Sequence, residues 1–251
     1  MKVIAISNHK GGVGKTTSCA NISAALAEKG YKVLMMDIDP QCNLSATFGL
    51  HDPEKTIYDA IMNQEPLPVY PIEENENLFI CPSSLDLAAS DIELSSRIMR
   101  ESILKKLIDP IKKDYDFCLI DCPPSLGLLP INAFVAADEI FIPVQPEYFS
   151  SKGLDSLLGV IDNVRKNINP NLKVGGVFTT GYDSRLIIHK DIASSLKEVF
   201  PAEMLFKTII RRNVSLSEAA PNGKSILKYA PQSAGAEDYK SLTDEIIAKY
   251  N

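Results

Sequence analysis

Hydrophobic residues fall along this chain in short, dense runs separated by stretches with helical spacing. Residues 2–8, Lys-Val-Ile-Ala-Ile-Ser-Asn, are nearly continuously apolar, which suits a strand covered on both faces better than an alternating surface strand. Runs at 32–39, 78–82, 117–121, 139–144, 174–179 and 205–210 predict six more strands. An Ala- and Leu-rich stretch from 15 to 29 predicts a helix that stops at Gly30, a residue suited to the C′ position. Helical stretches recur between most of the strands. This alternation predicts an α/β fold: a doubly wound, mostly parallel sheet flanked by helices on both faces. In such sheets the β–α loops at the carboxyl ends of the strands form the ligand crevice. Residues 50–71, with Pro53, Pro66, Pro68 and Pro71, read as a surface excursion carrying a short helix at 57–62. Nothing marks a boundary, so residues 1–251 read as one domain.

Composition narrows the function classes. With 45% hydrophobic residues in 251, a sizeable core is available. No apolar run approaches the roughly 18–20 residues that cross a bilayer, and Met1-Lys2 leads directly into a strand rather than a signal peptide. The expected location is cytoplasmic. Cys19, Cys42, Cys81, Cys118 and Cys122 form no C-x-x-C pair, so buried reduced thiols are expected rather than a metal site or disulfides. The net charge of −6 argues against a generally basic nucleic-acid coat, yet it is uneven: residues 181–251 hold ten Lys/Arg against nine Asp/Glu, leaving −7 on the first 180.

Between the first strand and the first helix lies Lys10-Gly11-Gly12-Val13-Gly14-Lys15-Thr16-Thr17. The ordinary phosphate-loop pattern fails by one residue, because His9 stands where its first glycine belongs. Gly11, Gly12 and Gly14 still allow a tight turn that directs backbone N–H groups at phosphate oxygens. Lys15 adds a point charge at the β/γ phosphates, Thr16 a hydroxyl ligand for Mg²⁺, and the helix N-terminus a favourable partial charge. The second strand ends in Asp37-Ile-Asp39-Pro-Gln, with both carboxylates on one side of the strand by its alternation. The fourth ends in Asp121-Cys-Pro-Pro-Ser, where a lone Asp matches a carboxylate that holds Mg²⁺ directly or through water. Each Asp could instead be an N-cap or turn residue, and Lys10 a solvated loop lysine.

The string K-G-G-x-G-K-T-[ST], together with D-x-D-P-Q and D-x-P-P-S, resembles the deviant phosphate loop and acidic motifs of the ParA/MinD ATPases, a P-loop NTPase family that includes the nitrogenase iron protein. The resemblance continues through Pro143-Val144-Gln145-Pro146-Glu147-Tyr148, Tyr182-Asp183-Ser184-Arg185 and Arg212-Asn213-Val214-Ser215-Leu216-Ser217-Glu218-Ala219. It implies ATP and Mg²⁺ as cofactors and a homodimer in the ATP state, with Lys10 reaching across to the partner's nucleotide. It also implies that Asp39 positions the attacking water, that Asp37 supports the Mg²⁺ shell, and that Asn213 contacts the base. Hydrolysis is expected to be slow in isolation, because no internal arginine finger is identifiable.

Family members differ in what the dimer binds. The C-terminal stretch places Tyr239, Leu242, Ile246 and Tyr250 at helical spacing among mainly acidic charges, so it reads as a helix packed on the domain rather than a membrane anchor. Cys118 and Cys122 match the cluster-bridging cysteines of the nitrogenase branch poorly. From Lys207 to Lys228 the chain holds Lys207, Arg211, Arg212, Lys224 and Lys228 against the single acid Glu218, a basic stretch suited to sequence-independent DNA binding. By resemblance to the partition ATPases, Arg185, Arg212, Lys224 and Lys228 are the DNA-binding candidates; a solvated charged face is the alternative, and Arg212 could serve the nucleotide instead. Ser215 departs from the Arg common in relatives. With no N-terminal extension, a helix-turn-helix domain and operator binding are not expected. The resemblance thus implies a nucleoid-associated ATPase for chromosome or plasmid partition, stimulated by a ParB-like centromere-binding protein; the alternative is a MinD-like or cargo-positioning ATPase acting on a protein complex or membrane.

Overall fold

The computed structural model describes residues 1–146, 151–186 and 196–250. Among the described residues, seven strands form one sheet: β1 (Lys2–Ile6), β2 (Val33–Asp37), β3 (Tyr70–Pro71), β4 (Leu78–Cys81), β5 (Phe117–Asp121), β6 (Glu139–Val144) and β7 (Lys173–Thr179), in the order β3-β4-β2-β5-β1-β6-β7. All pairs are parallel except the two-residue edge strand β3, which runs antiparallel to β4. The helices that bear on the site are α1 (Lys15–Glu28), α2 (Asn43–Thr47), α3 (Ile57–Asn63), α4 (Ile103–Ile108), α5 (Leu128–Ala136), α6 (Ser151–Asn167), α7 (Val214–Ala219), α8 (Ile226–Tyr229) and α9 (Ala234–Ala248).

Strand alternation divides the core into two layers. Val3 and Ala5 of β1, with Leu34 and Met36 of β2, pack beneath α3 to α6, while Ile4, Ile6, Val33 and Met35 pack beneath α1 and α9. Both faces are therefore buried, and the strands can be apolar throughout. The predicted helix over 15–29 is α1, ended by Gly30 at φ 87°. The predicted helix at 57–62 is α3, which starts with a Thr56–Asp59 capping box. On α9, Tyr239, Leu242 and Ile246 are buried against α1 and the sheet, the packed helix expected from their spacing. Cys19, Cys81, Cys118 and Cys122 are buried thiols, whereas Cys42 is only half-buried.

One expected strand is not formed. Residues 205–210 lie beside β7 and donate to it from Phe206 N and Ile210 N, at 2.9 and 2.8 Å, but the intervening amides turn away. Lys207 N and Thr208 N donate instead to the Glu245 carboxylate of α9, at 2.8 and 2.7 Å. A side chain from a distant helix thus takes the ladder's hydrogen bonds. Phe206 is held by edge contacts with Phe141 and Phe178, and its ring lies where a Cβ on Gly176 would sit.

Gly176→Ala should therefore force Phe206 aside and destabilise the protein by about 1–3 kcal/mol in chemical denaturation. Gly159→Ala, on the exposed side of α6 where an added Cβ meets nothing, should stabilise by about 0.5–1 kcal/mol.

Candidate functional site

The sheet order explains why the sequence motifs meet. β2, β5 and β1 are neighbours, so their carboxyl ends present Asp37, Asp121 and the 7–14 loop side by side. In the ladders Asp121 lies opposite both Asp37 and Ile6. The loop follows β1, an interior strand flanked by β5 and β6, at the carboxyl edge that is the usual crevice of a doubly wound sheet.

Within the loop, Gly12 and Gly14 take left-handed φ values of 77° and 83°, which a side chain would strain. Gly14 is the N-cap of α1, so the first helical amides open into the loop, and Lys15 is the first helical residue. The Lys15 ammonium is buried and donates to the Lys10 carbonyl at 3.0 Å. Burial lowers its pKa, opposed by the charges of Asp121, Cys122 and Asp39. Thr16 and Thr17 follow half-buried on the cavity wall, and Lys10 is exposed at its mouth.

Three polar residues outside the sequence-derived site fix this loop. Asn8 donates to the Pro143 carbonyl at 2.8 Å and accepts from Lys10 N at 3.1 Å. Gln145 Nε2 donates to the Gly12 carbonyl at 2.9 Å, and the Thr180 hydroxyl to the Val13 carbonyl at 2.8 Å. Gln145 stood in a family-like segment without a role; Glu147 and Tyr148 of that segment lie outside the described residues. No spacing rule would have found Thr180.

The acidic side is deeply buried. Asp37 accepts from Ser45 N and Ser45 Oγ, at 2.8 and 2.7 Å, and from Asp39 N at 3.1 Å. Asp39 accepts from Gln41 N at 3.0 Å, and Ser83 joins the network by donating to the Asp39 carbonyl at 2.7 Å and, through its amide, to Ser45 Oγ at 2.9 Å. Asp121 is fully buried, and among the described residues neither of its carboxylate oxygens accepts a well-formed hydrogen bond, the Thr16 hydroxyl being the side-chain donor that faces it. Burial raises its pKa well above the ordinary range, the neighbouring Asp37 charge adds to this, and Thr16 and Lys15 oppose it. Burial likewise raises Asp37 to about 6, against the pull of its bonds from Ser45 and Asp39 N. Such a pair of oxygen ligands, facing a threonine at the head of α1, fits a hard divalent cation.

Two adjoining cavities of about 660 and 640 Å³ share Gly11, Gly12, Gly14, Thr17 and Leu216. The first reaches Thr16 and Asp39; the second reaches Lys10, Arg212 and Asn213. Asn213 caps α7, its side-chain oxygen accepting from Ser215 N at 2.9 Å, which directs the amide nitrogen elsewhere.

The basic candidates do not form one patch. Arg185 and Arg212 line a third cavity of about 580 Å³, while Lys224 and Lys228 border another of about 420 Å³ beside Glu73 and Glu74. Lys224 also lines the 660 Å³ nucleotide-side cavity. Arg185 is exposed but paired with Asp183 at 2.6 Å. The reading of Arg211 as part of an unopposed basic stretch needs correction: it is ion-paired with Glu237 and Asp238 of α9, both at 2.6 Å. Those acids come from outside the 207–228 window in which Glu218 stood alone.

Asp37 yields a pH test. Its folded-state value lies above the ordinary carboxylate value of 3.8, so the native state holds the extra proton between about pH 4 and 6, and stability is lost as pH rises through that window. Metal-free Asp37→Asn should melt above the parent at pH 7.5, by up to the equivalent of about 3 kcal/mol less the weakened Ser45 bonds. The advantage should shrink as pH falls from 6 to 4, which thermal denaturation across that range would measure.

Comparison with known proteins agrees with this geometry. Residues 1–174 match the family model described as an AAA domain. The chain is 43% identical to the sporulation initiation inhibitor protein Soj of Bacillus subtilis (strain 168), over 98% of each chain. It is also 43% identical to the chromosome-partitioning ATPase Soj of Treponema pallidum (strain Nichols), over 99% of this chain and 98% of that one. Among solved structures, cobyrinic acid a,c-diamide synthase from Mycobacterium smegmatis, with bound ATP analog and magnesium, superposes with a TM-score of 0.86 at 31% identity, covering 100% of this chain and 96% of that one. A phosphate-type loop seated beside two buried strand-end carboxylates, on a chain alike to Soj along nearly its whole length, places this protein in the ParA/Soj family of partition ATPases.

Proposed function

We propose that this chain is an ATP-dependent DNA-partition ATPase: ATP closes a homodimer, the dimer holds DNA without regard to sequence, and a ParB-like centromere-binding partner stimulates hydrolysis and release. The observation that supports the ATPase reading is Asp121, a fully buried carboxylate beside Asp37 that, among the described residues, accepts no well-formed hydrogen bond and faces the Thr16 hydroxyl, an arrangement that suits a bound cation. Thr16, Asp37 and Asp121 would hold Mg²⁺, which when bound neutralises charge on the β and γ phosphates. The amides of residues 11–17 cradle the phosphates, with Lys15 as the adjacent point charge. Its ammonium bond to the Lys10 carbonyl keeps it in the loop until phosphate oxygens replace that acceptor.

Asp39, held through its link to Gln41, orients the attacking water. Lys10, exposed at the cavity mouth, adds its charge to the nucleotide of the partner subunit, making the dimer the active unit. Asn213 offers its amide to the base. Arg212, with Arg185 and more distantly Lys224 and Lys228, supplies phosphate-backbone contacts. No described helix is long and apolar enough to cross a membrane, and the acidic, packed α9 favours the DNA reading over the membrane alternative.

Co-sedimentation with random-sequence DNA in ATP, ADP or no nucleotide, repeated across salt, tests this. Retention should need ATP and fall steeply with salt; equal retention in all three states would sink the switch. Arg212→Ala should weaken retention and reduce the salt slope by about 1. Lys15→Ala should bind no nucleotide, whereas Asp39→Ala should bind ATP and accumulate as dimer in size-exclusion chromatography. A monomeric Asp39→Ala protein with ATP would remove the water-orienting role.

A further inference from the structure

Two consecutive residues of α9 hold opposite sides of the candidate nucleotide site. Asp238, nearly buried, accepts from Arg211 N at 2.8 Å and from the Arg211 guanidinium at 2.9 Å (Nε) and 2.6 Å (Nη2). Tyr239, fully buried, has its hydroxyl 3.0 Å from Ser18 Oγ of α1. Neighbours on a helix point about 100° apart, so one turn of α9 reaches both the helix behind the phosphate loop and the segment opposite it. That segment, residues 210–213, lines the 640 Å³ cavity and belongs to no strand. Its backbone is held at Ile210 N by Thr179, at 2.8 Å, and by two bonds with Tyr182, of 3.1 and 2.9 Å. The Arg211–Asp238 fork is its firmest side-chain anchor.

We infer that Asp238 is a positioning residue for the nucleotide base: through Arg211 it sets where Asn213 stands relative to α1. The inference rests on the reading that the 210–217 wall receives the base. With Asn in place of the carboxylate, one oxygen remains for the Arg211 amide but the charged fork is lost, the guanidinium keeps only Glu237 and the Ala234 carbonyl, and the wall can drift from the phosphate side. Phosphate contacts, made by residues 11–17, stay as they are. The two parts of a nucleotide should therefore be affected differently.

Isothermal titration with ATP, GTP and inorganic tripolyphosphate, each with Mg²⁺, separates them. Asp238→Asn should weaken ATP by about tenfold, leave tripolyphosphate within about twofold, and narrow the ATP-over-GTP preference. Arg211→Lys, which keeps the charge but not the fork, should give an intermediate loss of the same kind. If Asp238→Asn does not fold, Arg211→Lys must show the narrowing by itself. A drop in melting temperature with unchanged ATP-to-tripolyphosphate and ATP-to-GTP ratios makes the pair a structural brace only and overturns the inference. Asn213→Ala distinguishes the two levels. If it leaves those ratios unmoved, the base-wall reading fails; if it moves them and the Asp238 and Arg211 variants do not, only the positioning role fails.

Discussion

Burying a carboxylate costs several kcal/mol unless donors satisfy it, and here two stand opposite each other on neighbouring strands at the end of an otherwise apolar sheet. Asp37 is offset by three hydrogen bonds, whereas Asp121, among the described residues, accepts no well-formed one and faces only the Thr16 hydroxyl. The response in the absence of a cation is protonation, which is why burial drives both upward. A cation between them would reverse that and return the cost as binding energy, so apo stability is traded for ligand-dependent stability. The surrounding structure serves this arrangement. The apolar layers above and below remove water, and the Ser45–Ser83 network fixes the turn that carries Asp39.

Much of this was legible because each chemical residue sits at a punctuation point. The carboxylates end apolar runs, and Lys15-Thr16 begin a helix after glycines whose φ values only glycine adopts easily. What the sequence could not carry is adjacency. Asp37 and Asp121 are neighbours only because β5 inserts between β1 and β2, an order that no local pattern encodes. The same limit explains residues 205–210. Their apolar run has the composition of a strand, but Glu245, more than thirty residues later, captures the amides that pairing would need. Asn8, Gln145 and Thr180 were invisible for a related reason: Gln145 and Thr180 each act through one bond to a loop carbonyl and Asn8 joins the loop to β6, and such bonds demand no spacing.

Charge was the least legible property. Counting along a window between Lys207 and Lys228 found cations facing one acid, whereas in space α9 brings Glu237 and Asp238 onto Arg211, and Asp183 already holds Arg185. An ion pair formed inside the protein must be broken or shared before the same guanidinium serves a phosphate. Arg185 is itself exposed, but Asp183 is nearly as buried as Asp238 and holds it by the same device, a fork from Nε and Nη2 at 2.9 and 2.6 Å and a bond from its amide at 3.0 Å. Arg211 is held further by a second carboxylate, that of Glu237.

The two arginines that adjoin in sequence are thereby given different work. Both are exposed and line the 640 Å³ cavity and the one shared with Arg185, but Arg211 is ion-paired to α9 and ties the segment to the core. Between them runs a backbone joined to Tyr182, and from Thr180, two residues before Tyr182, a hydroxyl bond reaches the phosphate loop. A shift of the loop would therefore have a bonded route, through Thr180 and Tyr182, to the segment that carries both arginines. On this fold, the segment proposed to receive the base and the surface proposed to meet DNA are one piece of chain, so a movement that seated the first would reposition the second.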